Sequence, residues 1–275
     1  MPELPEVETI VRKLRPHLVD RRFVEVKLLW EGSVDRPDPA AFVRELVGSQ
    51  VMAMGRRGKF ILSHLDSGRY LLIHLRMTGK FFYRAPEEGP GEDPHTRVVF
   101  RLDDGSWLPF VDTRKFGRLY LVDDPEEVTA CLGPEPLAPD FTAEAFLTLL
   151  EGRHGEIKRL LLNQTFVAGL GNIYANEALW QAGIHPLRTA DTLTEAEARR
   201  LHAAIVASLE AGIANGGTSL PDRQYVYPDG ALGGHQEQLV VYDREGDLCP
   251  RCGYAVKRIV QGQRSTYFCP VCQPK

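Results

Sequence analysis

The tail of the chain carries two Cys-X-X-Cys knuckles, Cys249-Pro250-Arg251-Cys252 and Cys269-Pro270-Val271-Cys272, with sixteen residues between them. Two knuckles at this separation fit a zinc ribbon in which four thiolates surround one ion as a tetrahedron. So small a segment does not fold well without its metal, so the zinc held by Cys249, Cys252, Cys269 and Cys272 is expected to be structural. With four protein ligands in place it has no open position for catalysis. Arg264 falls between the knuckles, at the expected tip of a hairpin. The fifth cysteine, Cys131, is left over, which argues against a secreted disulfide framework.

The remaining composition fits ordinary folded domains. The 275 residues are enough for two domains, and 43% of them are hydrophobic. No apolar run is long enough for a membrane span and no signal-peptide pattern is visible, so a cytoplasmic protein that binds no membrane is expected. The net charge of −4 does not suggest a nucleic-acid binder, but the charges are segregated. Residues 249–275 hold Arg251, Lys257, Arg258, Arg264 and Lys275 with no Asp or Glu, while acids gather at Glu87, Glu88, Glu92, Asp93 and at Asp123, Asp124, Glu126, Glu127. One basic face on an acidic protein is therefore possible.

The amino terminus reads Met1-Pro2-Glu3-Leu4-Pro5-Glu6-Val7-Glu8. Cellular processing removes a methionine that precedes a small residue, which would free the Pro2 nitrogen as a secondary amine. Such an amine is a nucleophile toward carbonyl-like carbon and yields a cationic iminium that withdraws electrons. A reference α-amine titrates near about 8, below lysine at about 10.4. Glu3 could move a proton beside it. The plain alternative is a helix-start proline with Glu3 complementing the helix dipole.

Helical spacing of Val7, Ile10, Val11, Leu14 and Leu18 predicts a helix over 3–18, which would anchor that terminus on a core. Short β runs follow at 23–30, 50–55, 59–65, 69–75, 79–83, 96–102, 106–111 and 117–122, and predict an antiparallel sandwich. Residues 84–95 read as a surface loop. Four prolines in 123–141 read as a linker. Helices are predicted over 142–151, 155–163, 172–182 and 194–214, the last with a Thr194/Glu197 capping box. Residues 215–238, rich in glycine and polar groups, make a connection long enough to be functional.

The stretch PELPEVET resembles the start of the formamidopyrimidine-DNA glycosylase family, the bacterial enzymes that excise oxidised purines. The related endonuclease VIII branch usually has glycine where Leu4 stands. The string VAGLGNIYANEALWQAGIHP resembles the helix–two-turns–helix element of the same superfamily, and Leu132-Gly133-Pro134-Glu135-Pro136-Leu137 resembles the family hinge. Asp112-Thr113-Arg114-Lys115-Phe116-Gly117 is similar to the family wording DPRRFG, with Thr113 and Lys115 variant.

The resemblance spans the chain and implies an α+β protein of two domains. A β-sandwich catalytic domain with its N-terminal helix would cover 1–122, followed by the 123–141 linker. A helix–two-turns–helix domain would cover 142–238, with 215–238 closing over the extruded base, and a zinc finger would cover 239–275. It implies a bifunctional DNA glycosylase and abasic-site lyase of base excision repair. Pro2 would be the nucleophile and Glu3 its proton-transfer partner, with Lys59 and Arg264 serving β- and δ-elimination. Met77 and Phe116 would enter the gap left by the base, and Arg114 would bond the orphaned cytosine. His95, Arg153, Lys158 and Asn172 would contact DNA. Glu177 would stiffen this site or be an ordinary helix-surface acid. Relatives often place phenylalanine where His235 stands. The implied partner is damaged double-stranded DNA at the bacterial nucleoid, with zinc as the one cofactor, no nucleotide cofactor, and a monomer as the working unit. Two rivals share many of these features: an endonuclease VIII-like enzyme for oxidised pyrimidines, and a noncatalytic damage-binding zinc protein.

Overall fold

The computed structural model describes residues 1–221 and 225–275. Its contacts divide the chain into two compact units, Met1–Cys131 with Asn215–Gln236, and Leu132–Ala214 with Glu237–Lys275.

The first unit opens with α1 (Leu4–Leu18). Val7, Ile10, Val11, Leu14 and Leu18 form its apolar stripe, and all five are buried. Pro5 lies in the first turn, where its missing N–H has no helical partner to lose. The chain then runs through β1 (Phe23–Leu28), β2 (Val34–Arg36), α2 (Pro39–Leu46), β3 (Val51–Arg57), β4 (Phe60–Leu65), β5 (Tyr70–His74), β6 (Gly79–Phe81), β7 (Thr96–Leu102), β8 (Trp107–Asp112), β9 (Arg118–Val122) and the short α3 (Glu126–Thr129). The strands form a five-stranded sheet ordered β2-β9-β5-β4-β3 and a four-stranded sheet ordered β1-β7-β8-β6. Phe23, Phe81, Phe100 and Phe110 from the smaller sheet share one core with Ile61, Leu71, Ile73 and Leu119 from the larger, and the stripe of α1 joins it.

Two features depart from the expected run of antiparallel strands. Asp38 accepts the backbone N–H groups of Ala40 and Ala41, and Pro39 supplies the first helical φ, so α2 forms inside the β region. The three-residue β2 pairs parallel with β9, which the long connection between them permits.

Residues 215–236 pack in this unit, whereas the sequence assigned 215–238 to the helical domain. The reason is local bonding and burial. The Thr218 N–H donates to Glu6 Oε1 at 2.8 Å, and the Tyr83 N–H donates to Pro228 O at 2.9 Å. Tyr225 is buried in the sandwich core, and its hydroxyl donates to Gly216 O at 2.9 Å. Gly216 and Gly217, with φ of 70° and 78°, make the left-handed bend that begins the excursion. The base-capping stretch expected over 215–238 includes 222–224, which lie outside the described residues. The expected 123–141 linker is divided, with the unit boundary between Cys131 and Leu132.

The second unit contains α4 (Ala143–Leu150), α5 (Ile157–Leu162), α6 (Asn172–Ala182), α7 (Glu195–Ala214) and a hairpin of β10 (Lys257–Gln261) and β11 (Arg264–Phe268). The Thr194/Glu197 capping box is present: the Thr194 N–H donates to Glu197 Oε2 at 2.8 Å and the Glu197 N–H to Thr194 Oγ1 at 3.3 Å. The Arg188 guanidinium beside Glu197 holds that carboxyl at about 2. Helix α6 packs on α7 around the fully buried Tyr174, and a Cβ at Gly212 would lie 2.5 Å from its ring.

The zinc-finger segment packs with this helical unit. Glu177 of α6 explains part of that union. Its Oε2 accepts the Val240 N–H at 3.0 Å, and its Oε1 accepts those of Val241 and Tyr242 at 2.9 and 2.8 Å. Glu177 is thus a buried clamp and not a surface acid. Burial pushes its carboxyl above the usual range, and the three N–H groups offset only part of that. Replacing Glu177 by Gln sets an amide donor against backbone donors. Thermal unfolding of Glu177→Gln should show a loss of about 1–3 kcal/mol, and an unchanged melting temperature would contradict this role.

Candidate active site and nucleic-acid interface

In the first unit the chain is buried and tethered from Pro2 onward. Pro2 is buried, and Glu3 and Glu6 are 3% and 1% exposed. The Glu3 N–H donates to Glu6 Oε2 at 2.7 Å, while the other Glu6 oxygen holds Thr218. One carboxylate therefore pins the first turn of α1 and the 215–221 stretch together. Helix α1 lies on the β3–β4 hairpin. Arg15 donates to Met54 O at 2.9 Å, and Arg56 pairs with Glu8 at 3.3 Å, so the helix start runs toward the hairpin turn. Arg56 also donates to Gly58 O at 2.9 Å, bracing the turn that presents the buried Lys59. The first turns of α1 and the turn before Lys59 are thus tied through Glu8 and Arg56.

His74, at the end of β5, faces Phe60 in register, with the rings edge to face at 4.6 Å. The Arg76 N–H donates to its Nδ1 at 3.0 Å, which requires an unprotonated nitrogen. Burial, with the Arg76 and Lys59 cations nearby, lowers its titration from 6.5 to about 3.

The three residues expected to enter the duplex meet on one patch. Arg114 Nη1 lies 3.2 Å from Met77 Sδ, and its guanidinium carbon sits 4.6 Å from the centre of the Phe116 ring. Met77 and Phe116 are 38% and 44% exposed, high for large apolar side chains. Asp112 shapes the loop that carries two of them. Its buried carboxylate accepts the Gly117 N–H at 2.7 Å, the Arg114 N–H at 3.2 Å and the Thr78 hydroxyl. Lys115 takes a left-handed φ of 61°, which turns the chain between Arg114 and Phe116. His95 is exposed beside this network. The Asp112 N–H donates to His95 O, and Arg97 reaches both the His95 ring, at 3.2 Å, and Asp112 O, at 2.7 Å.

In the second unit, α5 and α6 flank the two turns of 163–171. Gly169, at φ 83°, donates its N–H to Gln164 Oε1, and the Gln164 amide returns a bond to Leu170 O at 2.8 Å. Lys158, expected to contact phosphate, lies beneath the ribbon hairpin. It is 1% exposed, and its amine donates to Ser265 O at 3.1 Å and Thr266 Oγ1 at 2.6 Å. Asn172 donates to the same Ser265 carbonyl at 3.0 Å. The two residues anchor the ribbon hairpin one position from Arg264, which stands exposed at the start of β11. Arg153 is exposed in the loop between α4 and α5.

The cysteine set fits zinc. The sulfurs of Cys249, Cys252, Cys269 and Cys272 all lie within 4.8 Å of one another. The Cys249–Cys272 and Cys252–Cys269 separations are 3.8 and 3.3 Å. Thiolates about 2.3 Å from a tetrahedral zinc stand about 3.8 Å apart. The Cys269 N–H is held by Gln273 Oε1, whose side chain also donates to Ile184 O, and the Trp180 indole N–H points at Cys249 Sγ.

Sequence reasoning passed over Glu6, His74, Arg97, Asp112 and Trp180. Glu6 had a signal, the Glu3/Glu6 spacing of a capping box. Asp112 heads the loop motif. Nothing local marked the others.

A sandwich unit with a tethered amino terminus, joined in one chain to a helix–two-turns–helix unit with a four-cysteine ribbon, has the build of the helix–two-turns–helix DNA glycosylases. Family models described as the formamidopyrimidine-DNA glycosylase N-terminal domain, the formamidopyrimidine-DNA glycosylase H2TH domain, and the zinc finger found in FPG and IleRS match residues 1–119, 132–224 and 246–275. A formamidopyrimidine-DNA glycosylase of Chloroflexus aggregans is 48% identical over 99% of this chain and 98% of its own length. One of Protochlamydia amoebophila is 42% identical over the whole of both chains. The MutM (Fpg) protein of Thermus thermophilus superposes with a TM-score of 0.90 at 41% identity, covering 100% of this chain and 99% of its own. Lactococcus lactis Fpg in complex with a Fapy-dG containing DNA gives 0.90 at 34%, covering 99% and 100%. The chain belongs to the formamidopyrimidine-DNA glycosylase family.

Two outcomes follow from this geometry. A histidine whose folded titration lies below its unfolded value adds stability above pH 6.5 and loses it as pH falls toward 3. His74→Asn should therefore flatten the acid limb of a denaturation series, removing up to about 1.4 kcal/mol per pH unit of its slope. An identical limb would show that His74 does not resist protonation. Elemental analysis should find one zinc per chain, and Cys252→Ser should lose zinc and bind a DNA duplex more weakly than the wild type. Full binding by zinc-free protein would argue against a ribbon that needs its metal.

Proposed function

We propose that Pro2, freed of Met1, is the nucleophile of a bifunctional DNA glycosylase and lyase. The enzyme removes oxidised purines, 8-oxoguanine and formamidopyrimidines, from duplex DNA in base excision repair. Supporting the substrate class, solved relatives include Lactococcus lactis Fpg with an abasic site containing DNA and MutM with carbocyclic 8-oxo-G containing DNA. The observation that carries the mechanism is the fixed amino terminus: Pro2 is buried and its neighbour is held by Glu6. A nucleophile held in one orientation gains much of what a mobile chain end would forfeit.

The chemistry runs on this chain's own groups. The lesion leaves the stack, because C1′ is out of reach within it. Met77 and Phe116 fill the vacated space, and Arg114 bonds the orphaned cytosine. The Pro2 nitrogen attacks C1′, the C1′–N bond breaks, and Glu3 carries the proton that the opening sugar needs. The iminium acidifies C2′. Loss of that proton expels the 3′ phosphate by β-elimination, and δ-elimination then expels the 5′ phosphate, with Lys59 and Arg264 serving these proton transfers. Asn172, Arg153 and His95 contact the DNA backbone, positioning the duplex without reading sequence. Zinc, bound by the four cysteines, gives structure to the ribbon that carries Arg264. Action as a monomer at the bacterial nucleoid completes this reading; among the described residues no helix is long and apolar enough to cross a membrane.

Borohydride should trap a covalent adduct between the processed protein and a duplex holding 8-oxoguanine opposite cytosine. Pro2→Gly should lower excision by at least about 1,000-fold, and Glu3→Gln by about 100- to 10,000-fold. Wild-type protein that nicks this duplex without a trappable adduct would exclude the Pro2 mechanism. Stronger action on thymine glycol than on 8-oxoguanine would exclude the substrate assignment.

A further inference from the structure

Helix α6 directs four polar side chains at the zinc-finger segment. Asn172 donates to Ser265 O, Asn176 accepts the Tyr267 N–H at 2.9 Å, Glu177 takes three N–H groups of 240–242, and Trp180 reaches the metal site itself. These positions are zero, four, five and eight residues along the helix, so they share one face. The Trp180 indole nitrogen lies 3.4 Å from Cys249 Sγ, within the range of an N–H···S hydrogen bond. Cys249 is only 1% exposed. Arg251 covers the outer side of the indole, with its guanidinium carbon 4.3 Å from the ring centre. It also donates to Trp180 O and Gln181 O at 3.2 and 3.3 Å. The inner side packs against Val241, Val256 and Tyr267. The indole is therefore clamped in the one orientation that aims its donor at the thiolate.

We propose that Trp180 is a positioning residue for the structural zinc: its N–H bonds the Cys249 thiolate and ties the metal site to helix α6. Four thiolates around one divalent ion leave the cluster with net negative charge. A donor from outside the ligand set draws off part of that charge and opposes protonation and departure of the sulfur. Such outer contacts commonly contribute 10- to 100-fold in metal affinity. Backbone bonds from a knuckle are available to any zinc ribbon, whereas this donor comes from a separate helix. It couples retention of the ion to the integrity of the helix–two-turns–helix element. Phenylalanine would fill much of the same space and keep the Arg251 stack, but it has no N–H.

The test uses the full-length protein and reads the metal directly. In protein loaded with a spin-half cadmium isotope, the Trp180 indole proton should show scalar coupling to the metal through the hydrogen bond. Zinc transfer from Trp180→Phe to a colorimetric chelator should reflect affinity lowered by about 10- to 100-fold, with far-ultraviolet circular dichroism unchanged. Should the variant fail to fold, the cadmium coupling in the wild-type protein decides alone. Absence of that coupling in folded, metal-loaded protein would overturn the proposal, as would equal zinc affinity in a folded Trp180→Phe.

Discussion

The buried carboxylate of Glu6 is the interaction on which the start of α1 depends. One oxygen holds the Glu3 N–H at the start of α1, and the other holds the Thr218 N–H. Charge-assisted bonds of this kind contribute about 1.5–3 kcal/mol each, and both are lost if this side chain is removed. A Cβ at Gly217 would lie 3.0 Å from the Glu6 side chain, and its φ of 78° disfavours any larger residue. The side chain that holds Glu3 beside Pro2 is itself tied to a residue more than two hundred positions away in sequence. A proline at a chain end is chemically ordinary until something fixes where its nitrogen points.

The same logic recurs in the second unit. Arg264 is exposed on a hairpin of two short strands, a motif with little stability of its own. Its direction is set by Lys158 and Asn172, which converge on Ser265 O, and by Gln261, whose amide donates to Glu156 and Pro186 O. Lys158, for which the family resemblance implies a phosphate contact, supports the hairpin that carries the exposed arginine. Burying an amine is tolerable here because it has oxygen acceptors at 2.6 and 3.1 Å.

Around the expected insertion patch, the three side chains that the family motifs single out are exposed and the residues that hold them are buried. Met77, Arg114 and Phe116 lie open, while Asp112 and Thr78 beneath them are almost inaccessible. Exposed residues of this kind are legible through motif wording, because the wording names the side chains themselves. Their supports act only through distance and angle, which wording does not carry.

The sequence by itself determined α1, α4 to α7 and most strands, through periodicities that a local chain must obey. It also determined the zinc ribbon, because two Cys-X-X-Cys knuckles have few other uses, and the family, because several distant motifs agree. Local signals for α2 were present in Asp38-Pro39 but lay inside a region whose pattern reads as strand. Tertiary structure alone decided that 215–236 returns to the sandwich, that Glu177 and Lys158 are buried, that β2 runs parallel to β9, and that an indole faces a zinc ligand. Each of these joins residues far apart in the chain, and such pairings depend on which buried polar groups find partners once the core has closed.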